Sequence, residues 1–148
     1  MGRDPWQLRP ALASDREFLY GLNEATMREH IEKIWGWNEP EQQAFFDNRF
    51  EPAEWQIIQA GGQDVGVLIV KENDEELYLA EIEIVPEWQG RGIGSSVLRS
   101  LMEDAVARQK PLTLRVLHLN ERARALYERL GFRPFREIET HTYLRWDG

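Results

Sequence analysis

Hydrophobic and polar positions change period several times along the chain, and each change predicts an element. Trp6-Gln7-Leu8-Arg9 alternates, as a short strand does. Ser14-Asp15-Arg16-Glu17 has the spacing of a capping box, and Phe18, Leu19, Leu22 and Ala25 follow at helical spacing. Pro40 stands near the start of a second short helix carrying Ala44, Phe45 and Phe46. Residues 54–60 and 64–71 read as strands joined through a hairpin turn at Gly61-Gly62. Residues 77–85 read as another strand, alternating Glu81, Ile82, Glu83, Ile84 in its second half. After Pro86 the period becomes helical. Gly92-Ile93-Gly94 opens a helix striped by Val97, Leu98, Leu101, Met102 and Ala105. Pro111 precedes a strand from Leu112 to Leu117. Asn120 is placed to cap a helix bearing Ala123, Leu126, Tyr127 and Leu130, which Gly131 ends. Phe135 to Trp146 reads as two strands with a break near Glu139. Strand, two helices, three strands, helix, strand, helix, two strands is the pattern of a mixed α/β sheet with helices on its faces.

Composition narrows the function classes. The 148 residues fit a single domain, 1–148, and 42% apolar with 30% charged residues is ordinary for a globular protein. There is no cysteine, which removes disulfides, zinc thiolates and thiol nucleophiles. No apolar run is long enough to span a membrane, and Met1-Gly2-Arg3-Asp4-Pro5 lacks the apolar core of a signal peptide. The expectation is a cytoplasmic protein with no membrane partner. Residues 1–74 hold 7 Lys/Arg and 14 Asp/Glu, and residues 75–148 hold 11 and 12. An acidic N-terminal half argues against unaided nucleic-acid binding, which needs basic groups for phosphates. It suits a cationic partner, or simply a solubilising surface.

The chemistry concentrates at Gln89-Gly90-Arg91-Gly92-Ile93-Gly94, directly after a strand and at the head of a helix. Glycine lets the backbone turn with positive φ and approach a ligand closely. The first N–H groups of a helix are unpaired and lie at the positive end of its dipole. Such a turn can hold a pyrophosphate, with Arg91 adding charge, or it can be a tight strand–helix turn with no ligand. No Gly-Lys-Ser/Thr follows, which excludes a P-loop. Val97 occupies the third small position of a dinucleotide-binding fingerprint, which excludes that motif too.

The stretch Ile82-Glu83-Ile84-Val85-Pro86-Glu87-Trp88-Gln89-Gly90-Arg91-Gly92-Ile93-Gly94 resembles the acetyl-CoA motif of the GNAT superfamily of N-acetyltransferases, Gln/Arg-x-x-Gly-x-Gly/Ala after a strand. Asn120-Glu-Arg-Ala-Arg-Ala-Leu-Tyr127-Glu-Arg-Leu-Gly-Phe132 resembles the same family's Asn-x6-Tyr-x3-Gly-Phe segment. The resemblance implies the GNAT fold, a mostly antiparallel sheet of about seven strands splayed between strands 4 and 5, with four helices. It places an acceptor-side segment at about 14–50, the acetyl-CoA motif at about 77–108 and the second motif at about 112–132.

It also implies roles. The backbone of Ile82 and Ile84 is expected to bond the pantetheine arm and the acetyl carbonyl. The N–H groups of Gln89, Gly90, Arg91, Gly92, Ile93, Gly94 and Ser95 are expected to hold the pyrophosphate, and Asn120 to reach the amide arm. Tyr127 is expected to protonate the leaving thiolate, since a phenol with a pKa of ~10 carries a proton at neutral pH. It also lies on the apolar stripe of its helix, where a tyrosine can simply pack. The implied reaction is direct attack of an amine on acetyl-CoA, the cosubstrate, without metal. An alkyl ammonium has a pKa of ~10.4 and must lose a proton first. Glu81 and Glu83 share one strand face and are the candidate bases, Glu83 being preferred. His118 is either a second base or a helix cap.

The segment Met27 to Glu39 interleaves aromatic and acidic groups between two helices and is the expected acceptor side, with His30, Trp35 and Trp37 as substrate-binding candidates. Trp rings beside carboxylates can hold a cation, or the two can staple helices to the sheet. Arg28 and Arg49 instead suit an acceptor bearing a carboxylate. Two functions stand open: an N-acetyltransferase acting on a small molecule, amino acid or peptide amine, and a non-catalytic acyl-CoA-binding sensor or partner protein. A homodimer through the C-terminal strands is a further option.

Overall fold

Each strand and long helix expected from the pattern is present in the computed structural model, which describes residues 5–148. The leader reading at Met1–Asp4 lies outside the described residues. The elements are β1 (Trp6–Pro10), α1 (Arg16–Ile34), α2 (Glu39–Arg49), β2 (Gln56–Ala60), β3 (Gln63–Glu72), β4 (Leu77–Ile84), α3 (Ile93–Ala107), β5 (Leu112–Leu117), α4 (Glu121–Arg129), β6 (Arg133–Glu137) and β7 (His141–Trp146). The strands form a seven-stranded sheet in the order β1-β2-β3-β4-β5-β7-β6, mostly antiparallel, with β4 and β5 parallel. No helix among the described residues is long and apolar enough to cross a membrane.

Two local expectations are corrected. Ser14 does not cap α1; it lies exposed inside a short 3-10 turn, Ala13–Asp15. The Asp15 carboxylate accepts from the Leu12 N–H at 2.7 Å and takes both Nη atoms of Arg9 at 2.9 Å. A bidentate, charge-assisted pair outweighs a hydroxyl cap. The second strand starts at Gln56 and not at residue 54, because Pro52–Glu54 is another 3-10 turn.

The chain forms two compact units. The first comprises the described residues up to Ile69 and Glu81–Gly94. Here β1 pairs antiparallel with β2 from Trp6↔Ala60 to Pro10↔Gln56, and β2 pairs with β3 around a bulge at Ile58/Gln59. Gly61 and Gly62 close the β2–β3 hairpin with φ of 59° and 75°, angles open to glycine at little cost. Leu19, Leu22, Ile57, Ile58, Val65 and Val67 are buried. Each such side chain contributes about 1.5–3 kcal/mol by leaving water. Tyr20 of α1 meets Phe46 of α2 edge to face at 5.4 Å, and Phe46 meets Trp55 at 5.7 Å. The Tyr20 hydroxyl also donates to Glu39, and Asn38 Oδ1 caps α2 through the Glu41 N–H at 3.0 Å.

The second unit comprises Val70–Ala80 and Ser95–Gly148. The parallel β4–β5 ladder runs from Leu77↔Leu112 to Leu79↔Leu114 and stops there, although β5 continues to Leu117. On its other side β5 pairs along its whole length with β7. The core is Leu77, Leu79, Val97, Leu98, Leu101, Leu112, Leu114 and Leu144. The outermost strand, β6, is exposed at every residue and bulged between Pro134 and Arg136. Asn120 caps α4 as expected, its Oδ1 accepting from the Ala123 N–H at 3.3 Å, and Gly131 ends the helix with φ of 103°.

Candidate functional site

In the first unit, the two-residue period of β4 sends Glu81 and Glu83 to one face. Glu83 is 7% exposed. Its Oε2 accepts from Asn23 Nδ2 of α1 at 3.2 Å, while its Oε1 is buried with no hydrogen-bond partner. Burial, and after it the neighbouring charge of Glu81, pushes the Glu83 carboxyl up to about 8. Burial raises Glu81 as well, opposed by Arg49, whose Nη2 stands 3.4 Å from Glu81 Oε1. Arg49 itself rests on the rings of Trp55 and Phe46, at 5.2 and 5.7 Å. Its charge is therefore directed to Glu81.

Gly66 of β3 crosses close to this strand. A Cβ there would stand 2.4 Å from the Glu83 carbonyl oxygen and 2.9 Å from Ile84 Cδ1, so the crossing requires glycine. After β4, Gln89 Nε2 donates to the Ile84 carbonyl at 2.9 Å and braces the following turn. Gly90 and Gly92 have φ of 77° and 84°, which turns the backbone toward the head of α3 at Ile93. The Arg91 guanidinium lies over the Trp88 ring, 4.2 Å from its centre.

The segment Met27 to Glu39 does not lie wholly between the two helices, since α1 runs on to Ile34 and α2 begins at Glu39. Within α1, Arg28 pairs with Glu24 and Glu32, each at 2.6 Å, and covers the Trp37 ring at 5.0 Å. The indole Nε1 of Trp37 donates to Glu39 at 3.3 Å. Arg28 thus already supplies the cation that this aromatic and acidic cluster attracts. Trp35 is 62% exposed, and His30 Nδ1 is buried with no hydrogen-bond partner.

In the second unit, Ser95 lies in the first turn of α3, half-buried. Tyr127 lies on α4 with its ring edge against Phe132 at 5.8 Å. Burial pushes its phenol up to about 12, and its hydroxyl has no hydrogen-bond partner among the described residues. His118 does not cap α4, which Asn120 caps. Its Nε2 donates to the Ile138 carbonyl at 2.9 Å, and its Nδ1 meets the Thr142 hydroxyl at 3.2 Å. These bonds tie His118 to the connection after β6 and to β7. No group of His, Asp and Glu among the described residues could hold a metal.

Asn23, held against Glu83, and Trp88, held against Arg91, escaped the sequence reading. Asn23 and Glu83 are 60 residues apart, and no local pattern couples them. Trp88 stands within the glycine-rich motif itself, where an aromatic three residues before an arginine was the available signal.

The chain is similar to known proteins in sequence and in fold. Thialysine N-epsilon-acetyltransferase of Bos taurus is 37% identical over 73 residues, 49% of this chain and 43% of that protein. The protein of the same name from Mus musculus is 29% identical over 104 residues, 63% of this chain and 61% of that one. The chain therefore spans less than two thirds of the length of these relatives. Among solved structures, PaiA N-acetyltransferase from Thermoplasma acidophilum in complex with coenzyme A superposes with a TM-score of 0.78 at 13% identity, covering 97% of this chain and 99% of that one. The ribosomal-protein-S18-alanine N-acetyltransferase from Escherichia coli gives 0.68 at 20% identity, covering 95% and 92%. At these identities the structures show the fold alone. The profile of the acetyltransferase (GNAT) family matches residues 19–132, and the chain belongs to that family.

Proposed function

We propose that the protein transfers the acetyl group of acetyl-CoA to a primary amine by direct attack, with Glu83 as the general base. One observation carries this reading: a carboxyl buried on β4 with one oxygen unpartnered and a pKa pushed up to about 8. A base must hold its proton loosely near the working pH, and a surface carboxylate at ~4.3 is too weak to deprotonate an ammonium of ~10.4. Glu83 takes the proton from the incoming ammonium, directly or through one water. The neutral nitrogen then attacks the thioester carbonyl. The Ile84 N–H steadies the oxyanion, and the C–S bond breaks. Tyr127 gives its proton to the departing thiolate, and the nitrogen's surplus proton restores the phenol.

In this reading the N–H groups from Gln89 to Ser95 hold the pyrophosphate. Positive φ at Gly90 and Gly92 and the head of α3 support that assignment. Asn120 uses Oδ1 for its cap, which leaves Nδ2 as the donor to a carbonyl of the pantetheine arm. The backbone of Ile82 lines the same arm. His30, Trp35 and Trp37 belong to the acceptor side. The relatives' name makes an amino acid with a side-chain amine the first acceptor class to try.

The test is thiol release from acetyl-CoA with thialysine, lysine, polyamines, aminoglycosides and short peptides. Release that depends on one acceptor supports the enzyme and names its substrate class. Binding of acetyl-CoA without release by any acceptor favours an acyl-CoA sensor. Failure to bind acetyl-CoA overturns the proposal.

A further inference from the structure

We infer that Trp88 is a positioning residue for the phosphates of the cosubstrate, acting through Arg91. The inference rests on the proposed reading of Gln89 to Ser95 as the pyrophosphate seat. An exposed arginine loses rotamer entropy when it closes on an anion. A guanidinium already stacked on an aromatic face has lost part of it before the ligand arrives, and the planar fork of its N–H groups suits phosphate. The Arg91–Trp88 distance of 4.2 Å is the shortest cation–ring approach among the described residues.

Trp88 is itself held from two sides. Its backbone N–H donates to the Val85 carbonyl at 2.9 Å, closing the 3-10 turn Pro86–Trp88. Its six-membered ring lies against Gly61 in the β2–β3 hairpin turn, where a Cβ would stand 2.8 Å from Cη2 and 3.4 Å from Cζ2. Gly61 therefore serves twice, by its φ of 59° and by the space it leaves. A hairpin turn with no charged group of its own thereby bears on the affinity for a polyanion.

The test is calorimetric titration of acetyl-CoA into wild type, Trp88→Met, Trp88→Phe, Arg91→Ala and the Trp88→Met/Arg91→Ala pair, at several salt concentrations. Methionine fills the space without a ring face, and phenylalanine keeps one. Trp88→Met and Arg91→Ala should each weaken binding about three- to tenfold, the range of a partly desolvated cation–ring contact. The pair should be no weaker than Arg91→Ala alone, both should flatten the salt dependence, and Trp88→Phe should recover most of the loss. Additive losses, or a loss with an unchanged salt slope, would show that Trp88 only packs. If wild type binds and Trp88→Met binds equally well, the positioning role alone falls. If wild type binds no acetyl-CoA, the phosphate seat falls and the role of Trp88 falls with it.

Discussion

Arg49 Nη2 stands 3.4 Å from Glu81, whereas Glu83, on the same face of β4, is met by the neutral amide of Asn23. Two carboxylates and one cation leave one proton more easily kept than lost, and it resides on the buried member without the cation. The pair titrates together, so a rate should report an apparent value for both. We expect kcat/KM for amine acetylation to rise with pH through about 8. Glu83→Gln should lose that rise and lower kcat roughly 10²-fold. A pH–rate profile of thiol release, taken on both proteins, decides it.

The same carboxyl bears on stability. Its folded pKa of about 8 lies above the ordinary 4.5, so the fold favours the neutral form. That contribution is complete below pH 4.5 and is lost as the pH rises through about 8. Glu83→Gln keeps the neutral shape at all pH. Its Tm should match wild type near pH 5 and exceed it by several degrees at pH 9. Equal Tm values at pH 9 would mean that Glu83 is no harder to ionise than a surface carboxylate.

Arg49→Met removes the cation beside Glu81 while keeping an apolar stem on Trp55 and Phe46. With the cation gone both carboxylates ionise less readily, and the rising limb of the rate profile should move up by about one pH unit. Arg49→Lys should fall between the two. A profile that stays in place would assign Arg49 to packing alone.

Gly66→Ala tests the close crossing of β3 and β4. The new methyl would meet the Glu83 carbonyl oxygen at 2.4 Å, backbone against side chain, with no rotamer to relieve it. Overpacking of this kind costs about 1–3 kcal/mol. Denaturant unfolding should show that loss, and kcat should fall with it because the displaced strand carries Glu83.

Tyr127→Phe removes one hydroxyl that has no hydrogen-bond partner among the described residues. Stability should change little, acetyl-CoA binding should persist, and kcat should fall about 10²-fold as the leaving thiolate loses its acid. Unchanged turnover would reduce Tyr127 to a packing residue against Phe132.

The fold was legible where the signal is local. The switch from strand to helical period at Pro86 and Gly92 reads off directly, as do the Asn120 cap and the Gly131 stop. The glycine turn and the paired carboxylates of β4 were legible as candidates for the same reason. What escaped depends on residues far apart in sequence. Asp15, not Ser14, bonds the backbone before α1, and it is held there by Arg9, whose guanidinium also reaches Asp64, 55 residues on. Asn23 reaches Glu83 only once α1 has packed. The Arg28 cluster was within reach. Glu24, Arg28 and Glu32 are spaced four apart, the signature of ion pairs along one helix face, and that spacing carries α1 into the segment Met27 to Glu39.

The exposed, bulged outer strand has a bearing on how copies of this chain meet one another. Pro134 offers no N–H, the bulge at Pro134/Arg136 breaks the even spacing of the rest, and Arg133, Arg136 and Glu137 line the rim. An incoming strand of another molecule would find no regular row of donors and acceptors to copy. The open border of β6 therefore resists edge-to-edge aggregation, and the chain is protected at the border where a growing cross-β stack would otherwise begin.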